Sequence, residues 1–141
     1  MTFDELNEAQ IKAIFEETNL TISELEKTME DRDYSVYTDA EANEAVKEYI
    51  KESAWAFNAD FILEQCELPF SGADSLKNMQ EKLCESANDF ILALIEKTCG
   101  IDEFCDAAVS TNGRGNFLAS YDGNEIEIST GKDTIYLYRN N

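Results

Sequence analysis

Apolar residues recur along most of this chain every three to four positions, and every second position near its C-terminal end. The first period marks helices with one buried face and the second marks half-buried strands. Phe3, Leu6, Ile11, Ile14 and Phe15 trace a first helix, opened by the capping box Thr2-Phe-Asp-Glu5. A second, short helix after Thr21 carries Ile22, Leu25 and Met29, and Tyr34-Ser-Val-Tyr37 reads as a short strand or an extended connection. Thr38-Asp-Ala-Glu41 is another capping box, and Ala42, Val46, Tyr49, Ile50, Ser53 and Phe57 form the apolar stripe of the helix it opens. Asn58-Ala-Asp60 interrupts that pattern, and Glu67-Leu-Pro-Phe-Ser-Gly72 breaks it.

Beyond the break, Asp74 or Ser75 caps what the spacing of Leu76, Met79, Leu83, Ala87, Phe90, Ile91, Leu94 and Ile95 predicts as the longest helix, closed by Gly100. A last helix runs from Asp102 to about Ser110 and buries Phe104, Ala108 and Val109. The period then changes: Glu125-Ile-Glu-Ile128 and Thr134-Ile-Tyr-Leu-Tyr138 alternate around Thr130-Gly-Lys-Asp133, a β-hairpin. The predicted class is α+β, mainly helical, with about four to five helices and a C-terminal antiparallel hairpin packed on them. An isolated hairpin is marginal, so packing is required.

With 141 residues, 43% apolar and 11% aromatic, the chain has the size and composition of one compact domain. Its longest apolar run, Phe90-Ile-Leu-Ala-Leu-Ile95, is far below the roughly 18–20 residues needed to cross a bilayer. The acidic N-terminus, Met-Thr-Phe-Asp-Glu-Leu, lacks the features of a signal peptide, so the expected location is cytoplasmic. Cys66, Cys84, Cys99 and Cys105 form no Cys-x-x-Cys pair and there is no histidine, so neither a metal nor a cofactor is expected. The four cysteines read as structural thiols, with a Cys99–Cys105 disulfide as the alternative.

Charge is the extreme feature. Thirty acids against eleven bases give −19, and residues 1–70 alone carry 18 acids and 5 bases. Such a field repels nucleic acid and anionic membranes and attracts basic protein surfaces. Glu41, Glu44, Glu48 and Glu52 share one face of the third helix, with neighbours about 5–6 Å apart. That spacing is comparable to phosphates along a nucleic-acid strand. Lys47 and Lys51, at offsets of three, would ease the stripe if it were only a solvated face. A second candidate is Asn112-Gly-Arg-Gly-Asn116, where Gly113, Arg114 and Gly115, with Arg139, suit an anion-binding loop. The plainer reading makes it a helix-to-strand connection whose glycines supply positive φ.

Two carboxylate clusters, Asp102, Glu103 and Asp106, and Asp122, Glu125 and Glu127, lack the ligand pattern of a calcium loop. Without histidine, the residues point away from hydrolytic catalysis, and no enzyme activity is expected. Phe117, Tyr121, Tyr136 and Tyr138 could stack on bases, but no basic groove accompanies them, so they read as core.

Tyr34-Ser-Val-Tyr-Thr-Asp-Ala-Glu-Ala42, Trp55-Ala-Phe-Asn58, Gly113-Arg-Gly-Asn-Phe-Leu118, Tyr121-Asp-Gly-Asn-Glu125 and Tyr138-Arg-Asn140 together resemble a set of small bacteriophage and prophage proteins. Those carry Gly-Arg-Gly-His-Phe-Leu, Tyr-Asp-Gly-x-Glu and a terminal Tyr-Arg-x-Asn in the same order. Asn116 stands where that pattern has histidine. The resemblance covers residues 34–141, leaving residues 1–33 as an acidic helical extension. It implies a viral protein acting in bacterial cytoplasm. Charge and resemblance together suggest a non-enzymatic inhibitor of a basic, nucleic-acid-handling host protein, such as an anti-CRISPR or anti-restriction protein working by DNA mimicry. The alternatives are sequestration of an anionic nucleotide signal by the Gly-Arg-Gly turn, and a role in viral assembly.

Overall fold

Helices hold 66% of the residues, and the remaining regular structure is one three-stranded antiparallel sheet. The computed structural model describes residues 1–141. In chain order the elements are α1 (Glu8–Thr18), α2 (Ile22–Glu30), β1 (Tyr34–Thr38), α3 (Asp39–Ser53), α4 (Ala59–Gln65), α5 (Ala73–Leu83), α6 (Asn88–Lys97), α7 (Ile101–Asn112), α8 (Arg114–Leu118), β2 (Glu125–Thr130) and β3 (Asp133–Arg139). Besides the single-turn α8 there are seven helices, more than the four to five expected. Contacts group the chain into two units, Met1–Ala45 with Gly113–Asn141, and Val46–Asn112.

In the first unit the strands run in the order β1-β3-β2. The predicted hairpin is β2–β3, turning at Gly131-Lys132 with Gly131 at φ +64°. Tyr34-Ser-Val-Tyr37 is a true strand, pairing Val36 with Leu137 and Tyr34 with Arg139. Central β3 is therefore hydrogen-bonded on both edges and covered on both faces, which explains why Leu137 and Tyr138, adjacent in sequence, are both fully buried. On one face Val36, Ile128, Ile135 and Leu137 pack against Leu6, Ile14 and Leu25. On the other, Tyr138 packs with Ala42 and Ala119, and its ring lies 5.8 Å from that of Tyr37.

Residues 1–33 thus form one wall of the core, and the division between units does not fall at residue 33. The Met1 ammonium, which donates to the Val36 carbonyl at 2.7 Å, ties the chain end to β1. The Thr2–Glu5 capping box forms, but over a 3-10 turn, Phe3–Glu5, and not over the first helix. A second box, Asn7–Gln10, starts α1, with Gln10 donating to the Asn7 side chain at 2.8 Å. Thr21–Glu24 does the same for α2.

In the second unit Phe57, Phe61 and Phe104 cluster with ring centroids 5.2–5.9 Å apart. The predicted longest helix is broken. α5 ends at Cys84, whose φ of +49° turns the chain into a 3-10 segment, Cys84–Ala87, before α6. Two amides fix this bend: Gln80 Nε2 donates to the carbonyls of Trp55 and Phe57 at 2.8 and 2.7 Å, and Asn88 joins the Lys51 carbonyl and the Trp55 N–H. Leu76, Ala87, Ile91 and Ile95 are buried, whereas Leu83 and Phe90 face solvent, because the stripe is not continuous across the bend. Gly100 closes α6 as expected, at φ +88° with its N–H bonded to the Ile95 carbonyl.

Candidate functional site

The Arg114 side chain donates five hydrogen bonds within the first unit. Gly113, at φ +80°, turns the chain out of α7 and into α8. Gly115 is needed for a different reason: a β-carbon there would meet the Gly123 carbonyl oxygen at 2.5 Å and Asn124 and Glu125 backbone atoms at 2.8 Å. The turn before β2 therefore lies directly on α8, and this brings Glu125 to Arg114.

The Arg114 side chain is only 10% exposed. Its Nε and Nη2 donate to the two Glu125 carboxylate oxygens at 2.8 and 3.2 Å, a bidentate pair. Nη1 donates to the Asp39 carboxylate at 2.8 Å and to the Asn43 amide oxygen at 3.1 Å. The guanidinium also sits 4.4 Å from the centre of the Tyr136 ring. Tyr138 completes the cluster, donating its hydroxyl to Glu125 at 2.5 Å. Burial alone would disfavour the Arg114 charge, but hydrogen bonds to Glu125 and Asp39 outweigh it and hold the guanidinium protonated. Burial, then the Glu125 carboxylate, push the Tyr138 phenol well above its ordinary value.

All three Arg114 nitrogens are thus engaged by β2 and the start of α3. The cluster works as a clamp tying α3, α8 and the hairpin together. Arg139 does not join it. Alternation along β3 places Arg139 on the opposite face from Tyr138, where its guanidinium lies 3.9 Å from the centre of the Tyr121 ring. Its Nε donates to the Asn141 carbonyl. The anion-loop expectation drew on Gly113, Arg114, Gly115 and Arg139 together; the fold separates the two arginines. Asn116, at the position of histidine in the resembled pattern, is exposed on α8.

The four glutamates of the acidic stripe are all exposed along α3. Glu41 has local work: it accepts the Thr38 N–H at 3.0 Å and lies 3.4 Å from the Met1 ammonium. The Thr38 backbone bond, with the N-terminal charge, holds its carboxyl below the usual range. Glu48 is 3.7 Å from Lys51, and Lys47 lies 2.9 Å from Asp102. Glu44 and Glu52 form no ion pair.

The cysteines are free thiols. Cys66 and Cys99, 33 positions apart in sequence, line one small cavity with Thr98 and Glu103, so the neighbour of Cys99 is Cys66. Burial raises the Cys99 thiol, and raises Cys105 to about 11. No group of three His, Cys, Asp or Glu is arranged to hold a metal ion, and no helix is long and apolar enough to cross a membrane.

The class these features define is α+β, a helix-rich fold on a three-stranded antiparallel sheet. Compared with known proteins, the chain matches no family model, no curated protein and no solved structure.

Proposed function

We propose that this is a non-enzymatic, phage-type acidic protein that binds and blocks a basic, nucleic-acid-handling protein of a bacterial host. The observation that carries this reading is the exposed carboxylate stripe of α3, in which Glu44 and Glu52 have no ion pair. Both units are acidic, at −11 and −8, so the field is general and α3 gives it an ordered spacing. A DNA-binding groove, lined by lysine and arginine, is the complementary surface. Inhibition of an anti-CRISPR or anti-restriction kind would follow from occupying that groove.

The test is capture from bacterial lysate on the tagged protein at low and high salt, followed by mass spectrometry. Exposed charge pairs are screened beyond about 8–10 Å at physiological ionic strength, so a mimicry complex weakens steeply with salt. Charge reversal at Glu44 and Glu52 should abolish capture. Salt-indifferent binding, or binding that survives both reversals, would overturn the proposal.

A further inference from the structure

We propose that the groove between α1 and α2 docks a basic amphipathic helix of a protein partner, on a surface separate from the α3 stripe. The groove measures about 650 Å³ and takes its walls from Ile11, Phe15, Leu20 and Ile22. Phe15 is 46% exposed and Ile22 60% exposed, although each lies next in sequence to, or one turn from, a fully buried core residue, Ile14 or Leu25. Two large side chains held open at the mouth of one groove form a patch of the kind that marks an interaction site. Its walls are helices, so the matching guest is a helix presenting apolar anchors.

Charge selects among such guests. Between residues 8 and 26 there are five glutamates and one lysine, all exposed. Lys12 itself lines the groove, but Glu8 and Glu16 stand one helical turn to either side of it. Glu26 lies one turn beyond Ile22 on α2. An apolar floor with this rim favours a guest whose apolar stripe is bordered by lysine or arginine. A second copy of this chain, itself at −19, is repelled.

The probe is a fluorescent helical peptide with a leucine stripe and a lysine polar face, titrated by anisotropy at physiological salt beside a twin with glutamate in place of lysine. The lysine peptide should bind saturably and the glutamate twin should not. Non-specific attraction to an acidic protein would give that result too, so Phe15→Ser and Ile22→Ser decide. Each removes an apolar side chain that the guest would bury, about half exposed for Phe15 and mostly exposed for Ile22, and should weaken binding about tenfold, with the melting temperature held in Ile22→Ser. Glu44→Gln should leave affinity unchanged, which separates this surface from the α3 stripe. Equal binding of both peptides, or serine variants that bind like the parent, would overturn the proposal. So would a dimer in light scattering that Ile22→Ser dissolves, since the occupant would then be a second copy.

Discussion

Replacing Arg114 by alanine should destabilise the first unit by about 3 kcal/mol, and the figure can be built from the partners it leaves behind. Charge-assisted hydrogen bonds contribute about 1.5–3 kcal/mol, and breaking a buried pair leaves an uncompensated charge that costs about 3–5 kcal/mol. Glu125, 28% exposed, would keep only the Tyr138 hydroxyl. Asp39 is 66% exposed and regains water at little cost, so the Glu125 arm dominates and partial exposure lowers the total toward about 3 kcal/mol. Arg114→Lys keeps the charge, but one ammonium cannot span Glu125 and Asp39 as the planar fork does; about half the loss should remain. Asp39→Asn should cost under about 1 kcal/mol. Urea titration followed by far-ultraviolet circular dichroism gives the three values, and hydrogen exchange at β2 and β3 amides localises the loss to the first unit. A cost below about 1 kcal/mol for Arg114→Ala, or an Asp39→Asn cost equal to it, would refute the clamp. A stable Arg114→Ala that loses an anionic ligand would instead restore the ligand-loop reading.

Two further outcomes follow from the same cluster. Gly115→Ala drives a β-carbon into backbone at 2.5–2.8 Å and should cost about 2 kcal/mol or more in thermal unfolding, whereas Gly72→Ala, with open space around it, should stay within about 0.5 kcal/mol. Equal effects would mean that α8 and the Gly123 turn can separate freely. Tyr138 has a folded-state pKa raised above its ordinary 10.0, so its contribution is complete below about pH 10 and is lost as pH rises beyond that. The melting temperature should fall above about pH 10, and Tyr138→Phe should show a shallower fall; parallel curves for the two proteins would refute the assignment.

Local signals were legible because they involve neighbours in sequence. The Thr38–Glu41 box, the Gly100 turn after α6 and the β2–β3 hairpin each depend on residues close in sequence, and each stands where the pattern places it. The α5–α6 bend was hidden because helical periodicity continues through Cys84, and what bends the chain is the fit of Gln80 and Asn88 amides to carbonyls at Lys51, Trp55 and Phe57. The Phe15–Ile22 groove was hidden as well, since both residues fit the apolar period and only the packing left them exposed.

By itself the sequence determined a helix-rich α+β chain with a C-terminal hairpin and a field of −19. Those properties are sums over residues or over short windows, so they need no knowledge of distant contacts. Tertiary structure alone decided that Tyr34–Thr38 pairs with β3, that residues 1–33 wall the core, and that Arg114 meets Asp39 and Glu125. It also decided that Lys47 meets Asp102. For the pairings the physical reason is that a charge or an edge hydrogen bond takes whichever partner packing brings within about 3 Å, and no local pattern encodes that choice over the 55 positions from Lys47 to Asp102, the 75 from Asp39 to Arg114 or the 105 from Tyr34 to Arg139. Residues 1–33 join the core because Leu6, Ile14 and Leu25 bury apolar surface against the sheet.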